Sequence, residues 1–534
     1  MKAANSYDKL RGGYYTPADI AQFIVKWIVR DKRDSILEPS CGDGSFLTAV
    51  KTVFPDYKGT IEAVELDPTE ATKAEMLGFP IENMDFFTYY ENSIEGKRTY
   101  DAIVGNPPFI RYQNFDEKYR EVAFRLMKLH GFHPNRLTNI WLPFLLLSVE
   151  ALSDNGRIGM VIPAELFQVD YAAEARNYLS ECLEKLTIIT FKRLVFDGIQ
   201  QEVVLLLGEK KAESKGIRVI ELEDLEDLIK NGKKCLDNAE TKTLNHSTDK
   251  WVKYYLTSEE LCLLDKLNSD DRISNATELY EINVGLVSGE NDFFIRRWDE
   301  IKEHGIEDEV APVISRSEQV KGIILTPDEY KKLRDDGKRV SIFMPGDRPM
   351  EELSEKAQKY ITWGEEHNYN TNYKCRIRKR WYVVPTSWKA DAFLIRQANL
   401  YPKMIINNAN AYVTDTLHKV RFLSGINGKL VAAAFINTYT LALSETLGRS
   451  YGGGVLTFEP GEMRRLRIPM KGAEKLDANK IDIWQREGKY EEILKYNDKI
   501  LLKDGIGLTD HEIELLHSIW GKMRDRRLSR KQST

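Results

Sequence analysis

The sequence predicts an α/β fold built on a doubly wound, Rossmann-like sheet, followed by a mixed α+β region and a helical tail. Three observations lead to this prediction. Between residues 14 and 208, short β-branched apolar runs alternate with amphipathic stretches, which is typical of a mostly parallel sheet covered by helices. A glycine-bearing turn follows the first run, and Asn-Pro-Pro-Phe follows the third. Open α/β folds bind their ligands at such strand ends.

The predicted elements of this region alternate in order along the chain. The strand-like runs are Ser35–Leu37, Thr60–Val64, Asp101–Val104, Ile158–Ile162, Leu186–Phe191 and Val203–Leu207. The helix-like stretches are Ala18–Val29, Ser45–Thr52, Pro68–Leu77, Glu117–Leu129, Thr138–Leu152 and Ala172–Leu183. Because strand and helix follow one another repeatedly, parallel crossover units are favoured over hairpins.

The chain is too long for one compact core, and its 534 residues predict about three units at roughly 150 residues each. We expect the α/β domain over residues 1–210 and a lysine-rich connecting segment over 211–250. A second, mixed domain is expected over 251–470, and a charged helical extension over 471–534. The extension ends in a basic cluster of Lys522, Arg524, Arg526, Arg527, Arg530 and Lys531.

Composition and charge exclude several classes of protein. The net charge of −5 means that any nucleic-acid surface must come from local basic clusters. The five cysteines are scattered, so neither a disulfide framework nor a metal site is predicted. No segment approaches the roughly 20 apolar residues of a membrane span, and the polar start Met1–Gly12 lacks a signal peptide. We therefore expect a cytoplasmic protein without metal or membrane contact.

The first candidate binding element is the segment Glu38–Gly44, Glu-Pro-Ser-Cys-Gly-Asp-Gly, between a strand and a helix. Its two glycines, Gly42 and Gly44, let the backbone approach a ligand closely at the edge of the sheet. Phe46 and Leu47 occupy the stretch where a GxGxxG dinucleotide fingerprint would continue, so that motif is absent. A glycine turn alone is weak support and is compatible with a purely structural role.

Two acidic residues follow at the next strand ends. Glu65 lies about twenty residues after the glycine turn, where Rossmann-type sites place a carboxylate that accepts hydrogen bonds from ribose hydroxyls. Without that spacing, Glu65 would be read as a solvated loop carboxylate. Asp85, flanked by Met84 and Phe86, is placed to accept from an adenine amino group inside an aromatic pocket.

The most informative stretch is an apolar strand that runs directly into Asn106-Pro107-Pro108-Phe109. The two prolines fix φ and favour extended backbone at the residue before each one. This stiff corner projects the Asn106 amide and the Pro107 carbonyl from the sheet edge. Such a pair of acceptors suits methylation of an aromatic amine, because binding both N–H groups localises the nitrogen lone pair for attack on a sulfonium methyl group. Phe109 is placed to stack on the base, at about 1–3 kcal/mol per stacked base.

These motifs resemble, in their order and composition, the amino-methylating DNA methyltransferases of the gamma arrangement, the group of TaqI-like and Eco57I-like modification enzymes. Gly13-Tyr14-Tyr15-Thr16-Pro17 is similar to the segment that precedes the glycine turn in that family and closes over the cofactor. The resemblance covers roughly residues 12–208. It implies a class I methyltransferase sheet and S-adenosyl-L-methionine as cofactor. It also implies methylation of adenine N6 in double-stranded DNA by a restriction-modification enzyme that flips the target base, with a target-recognition domain after the catalytic one.

The resemblance and the motifs together assign the site residues. Cofactor contacts are predicted at Tyr15, Thr16, Glu38, Pro39, Ser40, Cys41, Gly42, Gly44, Glu65, Asp85 and Pro107. The catalytic residues are predicted to be Asn106, Pro107 and Phe109, and the residues that stack on the flipped base are predicted to be Phe109 and Phe196. Phe109 departs mildly from the family, in which many relatives carry tyrosine. Without the family, Phe196 would be read as a core or loop phenylalanine.

The recognition domain is predicted to hold a DNA-binding cluster of aromatic and basic residues. Its basic members are Lys374, Arg376, Arg378 and Arg380, with Tyr369, Tyr373, Lys379, Trp381 and Tyr382 around them. Two further segments, Val284–Phe294 and Arg449–Gly454, loosely resemble the specificity domains of Eco57I-like enzymes. A solvated charged strand is the alternative explanation of the cluster, and a frayed solvated helix that of the basic tail.

Other functions remain open at this point. Asn-Pro-Pro-aromatic also occurs in methyltransferases that act on RNA bases or protein glutamine, although these are usually shorter. Cytosine N4 fits the same chemistry, and Asn106 favours adenine only by resemblance. The chain could also be a modification subunit that needs a specificity partner. A fused endonuclease is not indicated, whereas a separately encoded restriction endonuclease is a candidate partner.

Overall fold

The computed structural model describes residues 15–193, 195–196, 202–243, 250–385, 388–451 and 454–529. These residues form two compact units, one that reaches Leu261 and includes Ser529, and one over Cys262–Leu528. Parts of the predicted segments 13–17 and 449–454, residues 194 and 197–201 around Phe196, and the tail residues Arg530 and Lys531 lie outside the described residues.

The first unit alternates strands and helices from its start. Its strands are β1 Ile36–Glu38, β2 Ile61–Val64, β3 Ile81–Glu82, β4 Tyr100–Gly105, β5 Leu152–Pro163, β6 Lys185–Phe191, β7 Val203–Glu209 and β8 Gly216–Leu222. Its helices are α1 Ala18–Ile28, α2 Ser45–Val53, α3 Pro68–Glu75, α4 Phe86–Tyr89, α5 Glu117–Leu129, α6 Trp141–Glu150, α7 Ala173–Cys182 and α8 Leu225–Asn238. A short π-helical turn, Tyr90–Ile94, follows α4.

The described strands of this unit form one sheet in the order β3-β2-β1-β4-β5-β7-β6-β8. All neighbours pair in parallel except β7, which runs antiparallel to both β5 and β6. Ile36 of β1 lies between Ile61 of β2 and Ala102 of β4. The chain therefore leaves β1 towards one edge and returns beside it as β4, which makes the gap between β1 and β4 the topological switch point. This topology confirms the predicted doubly wound fold.

Helix α1 fixes the N-terminal segment to this sheet. Its apolar residues Ile20, Ile24 and Ile28 recur every four positions and are all fully buried, because that spacing places them on one face of a helix. Facing Ile24, β5 carries Gly159, where an added Cβ would lie 2.4 Å from the Ile24 Cγ2. The glycine therefore permits the close approach of helix and strand. Because α1 is held against the sheet, it also fixes the position of the residues just before it.

The segment 211–250, predicted to connect two domains, contains an eighth strand and a helix. Strand β8 pairs in parallel with β6, from Lys185 opposite Gly216 to Phe191 opposite Leu222. Its lysine-rich flanks suggested a linker, but the strand itself combines buried apolar residues with charged ones such as Arg218 and Glu221. Charged side chains are common on the edge strand of a sheet. Short β3 and α4 were likewise not predicted, since each spans too few residues to show a periodicity.

The second unit is mixed α+β, as predicted. Its strands are β9 Ser274–Asn275, β10 Tyr280–Val284, β11 Ile295–Arg296, β12 Val310–Ile314, β13 Ile324–Leu325, β14 Ser341–Phe343, β15 Ala392–Ile395, β16 Gln397–Ala398, β17 Met404–Asn407, β18 Tyr412–Val413, β19 Leu417–Phe422, β20 Arg449–Tyr451, β21 Val455–Thr457 and β22 Arg467–Ile468. They form several small sheets, of which the largest has the order β10-β19-β15-β17-β13.

Helices follow and interrupt these strands. They are α9 Ser258–Asn268 at the boundary between the units, α10 Ala276–Leu279, α11 Asn291–Phe294, α12 Trp298–His304, α13 Pro327–Asp335, α14 Glu355–Glu366, α15 Tyr373–Arg376, α16 Gly428–Ala434, α17 Thr438–Leu447, α18 Pro460–Arg464, α19 Ala478–Arg486, α20 Tyr490–Asp498 and α21 Asp510–Ser529. The predicted helical tail thus corresponds to α19, α20 and α21.

The described part of the basic tail is packed rather than frayed. Arg527 of α21 is almost fully buried and its guanidinium lies 2.8 Å from the Glu445 carboxylate of α17. The same guanidinium also donates to the Asn399 carbonyl. Within the described residues, no single helix is long and apolar enough to cross a membrane, and the bent pair α16 and α17 meets that test only when the two are taken together.

Candidate active site

The candidate active site lies at the carboxyl edge of the first unit's sheet, beside the switch point. Strand β1 ends at Glu38 and β4 ends at Gly105. The glycine turn leaves the first of these neighbouring strands, and the Asn-Pro-Pro-Phe corner leaves the second. Crossovers diverge to opposite faces of the sheet at such a point, which opens a crevice for a ligand.

The turn after β1 depends on its glycines. Gly42 and Gly44 have φ values of 55° and 90°, in the left-handed region where side chains are strained. An added Cβ at Gly44 would also lie 2.5 Å from the Leu77 Cδ1. At Gly42 a Cβ would meet nothing within 4 Å. Both positions therefore favour glycine because of their backbone conformation, and Gly42 faces open space.

That space is a cavity of about 410 Å³. It brings together most of the residues predicted from the sequence: Tyr15, Thr16, Glu38, Pro39, Ser40, Cys41, Gly42, Glu65, Asp85 and Asn106 line it. Gly44 shapes the turn behind it. Pro107 is buried at the corner after β4, and Phe109 packs partly buried against the core of the unit.

Glu65, at the end of β2, holds the glycine turn in place. Its Oε2 accepts a hydrogen bond from the Gly42 N–H at 2.8 Å, and its Oε1 accepts from the Asp67 N–H at 2.8 Å. Burial raises the pKa of Glu65 above its usual value, and the hydrogen bonds from the two N–H donors offset only part of this effect. Because a carboxylate offers about four lone-pair sites, these two bonds leave capacity for further donors on the cavity side.

Asp85 begins α4 as its N-cap. Its Oδ2 accepts from the Thr88 N–H at 2.8 Å and from the Thr88 hydroxyl at 2.9 Å. The next residue, Phe86, stacks on Phe144 of α6 with ring centroids 5.2 Å apart and planes 14° apart. Both rings line the cavity, so a carboxylate stands beside an apolar aromatic wall.

Glu38 contributes the most unusual electrostatics of the site. Its side chain is buried, and Oε2 has no hydrogen-bond partner among the described residues. Burial, together with the nearby charges of Glu65 and Asp43, raises the pKa of Glu38 well above its usual range. The buried hydroxyl of Ser40 likewise has no described partner. Orphaned polar atoms of this kind cost free energy unless a ligand satisfies them, and they fit a ligand that carries a cationic hydrogen-bond donor.

The N-terminal segment meets the corner after β4. The Asn106 Nδ2 lies 3.2 Å from the Thr16 hydroxyl and donates to it. Thr16 is buried, and it stands two residues before α1. This contact joins residues that are 90 positions apart in the sequence, and it fixes one end of the Asn106 amide.

Several lining residues were not predicted. Those outside the predicted motifs are Ile110, Asn114, Phe115, Asp116 and Phe144. Asp116 could be recognised only as the N-cap of α5, since it accepts from the Lys118 N–H at 2.9 Å. Phe144 gave no signal, because α6 is apolar all round and its sequence does not indicate which face meets a ligand.

The predicted stacking residue Phe196 is buried, with 6% of its surface exposed. It packs in the same core cluster as the first residues of β7 and is not among the residues that line the cavity. Its contact with a target base stays a prediction.

The four basic residues predicted to bind DNA, all in the second unit, differ in their contacts and exposure. Arg378 donates to the Val287 and Ser288 carbonyls, both at 2.7 Å, and therefore holds a loop. Arg380 pairs with Asp347 at 2.6 Å. Lys374 and Arg376 are exposed at α15. The DNA contacts of all four residues stay predictions, and Lys374 and Arg378 line the same cavity.

Two known protein families match this chain, over ranges that overlap. Residues 1–283 match the family described as N-6 DNA Methylase. Residues 248–502 match the family described as Type II methyltransferase M.Eco57I, C-terminal domain.

Individual relatives extend over most of the chain. The Type II methyltransferase M.AccI of Acinetobacter calcoaceticus is 25% identical over 516 residues, which cover 91% of this chain and 92% of the relative. M.XamI of Xanthomonas campestris pv. amaranthicola is 24% identical, over 86% of this chain and 85% of the relative. Among solved structures, the DrdV–DNA complex matches with a TM-score of 0.50 at 11% identity. That match covers 89% of this chain but only 56% of DrdV, and it shows a shared fold.

Proposed function

Because this chain belongs to the N-6 DNA methylase family, we propose that it transfers a methyl group from S-adenosylmethionine to adenine N6 within a short target sequence of double-stranded DNA. The observation that carries the proposal is the position of Asn106. Its amide stands at the end of β4, on the same cavity as the glycine turn, Glu65 and Asp85. A methyl acceptor and a methyl donor can therefore meet in one cavity.

The cavity offers complementary groups for each part of the cofactor. The buried Glu38 carboxylate and the Ser40 hydroxyl suit the amino acid part, Glu65 suits the ribose hydroxyls, and Asp85 beside Phe86 suits the adenine ring. When bound, the cofactor supplies an electrophilic methyl group on its sulfonium.

Asn106 and Pro107 do their work on the target base. The Asn106 Oδ1 and the Pro107 carbonyl accept the two N–H protons of the adenine amine and draw its nitrogen towards tetrahedral geometry. Positioning and oriented dipoles supply the rate enhancement. A strong general base is not required, since a methylated aromatic ammonium loses its proton readily to water.

The target base must leave the duplex to reach Asn106. Flipping costs a few kcal/mol of stacking and pairing, and stacking on an aromatic ring returns about 1–3 kcal/mol. We assign this contact to Phe109, with Phe196 as a second ring if it leaves its core packing in the DNA complex.

The second unit is proposed as the target-recognition domain. Support comes from the match of residues 248–502 to the C-terminal domain of a Type II methyltransferase. Such a domain would let the chain modify DNA without a specificity subunit. We further propose that it acts in the cytoplasm, as the modification enzyme that protects DNA from a separately encoded restriction endonuclease.

Thr16 is predicted to position Asn106. Replacing Thr16 with valine keeps the shape but removes the hydroxyl, so we expect kcat to fall about five- to tenfold, the value of one hydrogen bond. Thr16→Ser keeps the hydroxyl and should restore kcat. Single-turnover methylation measures the effect on catalysis through Asn106. Calorimetric titration of S-adenosylmethionine measures any direct contact of Thr16 with the cofactor. A loss confined to cofactor affinity would mean that Thr16 contacts the cofactor and does not orient Asn106.

The substrate class is tested by offering labelled S-adenosylmethionine with unmethylated genomic DNA, total RNA or cell protein. Transfer to DNA by the chain alone is expected. Transfer only to RNA or protein would replace the proposal with one of its rivals, and transfer to DNA only after a partner is added would make the chain a subunit.

A further inference from the structure

The second unit holds a cavity of its own, of about 580 Å³. It opens where the loop after β10 meets β18, β19 and the residues that follow α15. Gly285 at its floor allows no side chain, because an added Cβ would lie 2.1 Å from the Thr414 carbonyl oxygen. The floor is therefore fixed by close backbone packing.

The charge of this cavity has one sign. Lys374, Arg378 and Lys419 line it, and no carboxylate is found among its described lining residues. Three cations around one concave space favour an anion strongly, since field lines concentrate in a low-dielectric cleft.

Arg378 serves the cavity as part of its wall. Its two donated bonds to the Val287 and Ser288 carbonyls hold the loop after β10. Lys374 and Lys419 are thus carried on a preformed frame, which reduces the entropy lost on binding.

Trp388 also lines the cavity. Lys419 and a further cation, Arg421, lie over its ring. The Lys419 ammonium lies 4.5 Å from the centre of the Trp388 ring, and the Arg421 guanidinium lies 4.6 Å from it. Lys419 and Arg421 are two apart on β19 and so point to the same face. Partial burial and the charge of Arg421 both lower the pKa of Lys419. An anion bound beside this pair would be attracted by both charges.

Apolar side chains complete the rim. Ile377 and Val287 are 58% and 39% exposed, although each stands beside a cation of the cavity. A ligand that combines an anionic group with a flat or apolar body fits this arrangement. A nucleotide of a DNA strand has both, as a phosphate joined to a sugar and a base.

We propose that this cavity is the phosphate-binding site through which the second unit grips its DNA. Lys374 and Lys419 contact a backbone phosphate, Trp388 keeps Lys419 and Arg421 together, and Ile377 and Val287 pack against the adjoining sugar or base. The proposal rests on the proposed DNA substrate. The sequence predicted the DNA contact along one run of basic residues, whereas the proposed site combines a residue of α15 with a residue of β19.

The test compares Lys374→Gln and Lys419→Gln with Lys332→Gln, a control on the exposed face of α13 in the same unit. The probe is a short fluorescein-labelled duplex with the sequence that the wild type methylates. Each cavity variant should bind it about tenfold more weakly, as expected for one charge-assisted contact. The slope of log Kd against log salt should fall by about 0.9 for each lost phosphate contact. The control should keep both values, and Lys419→Arg should retain most of the affinity.

A second measurement excludes a folding defect. At saturating DNA, the single-turnover methylation rate of both cavity variants should equal that of the wild type. If the wild type binds and methylates DNA while the cavity variants bind like the control, the cavity proposal fails and the proposed function stands. If the wild type neither binds nor methylates DNA, both fail. Binding of a free mononucleotide that Lys419→Gln removes, with duplex affinity unchanged, would assign the cavity to a small ligand and overturn the proposal.

Discussion

Replacing Asn106 with alanine should reduce methyl transfer by roughly a hundred- to a thousandfold, as expected for the loss of a preorganised group that acts on the transition state. The amide at the end of β4 is the acceptor that makes the adenine nitrogen nucleophilic. The Pro107 carbonyl alone cannot bind both N–H protons. Affinity for S-adenosylmethionine should stay within about twofold of the wild type, because the Asn106 side chain is assigned to the target base and not to the cofactor.

The matched control for this substitution is Asn92→Ala, which removes an exposed amide from the same unit. It should methylate like the wild type. Single-turnover transfer measures the effect, and calorimetric titration of S-adenosylmethionine measures cofactor binding. A fully active Asn106→Ala enzyme would refute the mechanism, whereas a variant that no longer binds cofactor would give Asn106 a different role.

Replacing Glu65 with alanine should weaken the binding of S-adenosylmethionine by roughly ten- to a hundredfold. The variant loses the bonds proposed to the ribose hydroxyls, and hydrogen bonds to a charged group are worth about 1.5–3 kcal/mol. It also leaves the Gly42 and Asp67 N–H groups without their acceptor, which loosens the turn that faces the ligand. The methylation rate at saturating cofactor should fall much less than in Asn106→Ala.

Glu75→Ala is the control for Glu65, since Glu75 is an exposed carboxylate at the end of the following helix, α3. Its affinity for the cofactor should equal that of the wild type. Unchanged affinity in Glu65→Ala would show that Glu65 stabilises the turn and does not contact the ribose.

The alternation of elements in the first unit could be predicted from the sequence because apolar periodicity reflects burial directly. Helix α5 begins and ends at the predicted residues, Glu117 and Leu129. The switch-point residues could be predicted as well, since glycine permits backbone conformations that other residues avoid and proline fixes φ wherever it occurs. Strand β8 escaped prediction, because an edge strand carries charges that resemble those of a linker.

Contacts between distant parts of the chain could not be predicted. The bond between Thr16 and Asn106 joins two motifs that the sequence identifies separately, and only the packing of α1 on the sheet brings them together. In the second unit, adjacent basic residues suggested one surface. The structure turns Arg378 towards carbonyl groups and Arg380 towards Asp347, because charge in a sequence does not indicate which side chains find a partner. Lys419 and Trp388 had no signal of their own.

The Asn106 corner is expected to direct methyl transfer to the N6 amine of adenine at a fixed DNA sequence. The most direct test is to methylate unmethylated genomic DNA with the purified chain, identify the modified nucleoside by mass spectrometry, and locate it by modification-sensitive sequencing. N6-methyladenine at one recurring sequence is the predicted result. N4-methylcytosine, or no modified base in DNA from an enzyme that binds S-adenosylmethionine, would contradict it.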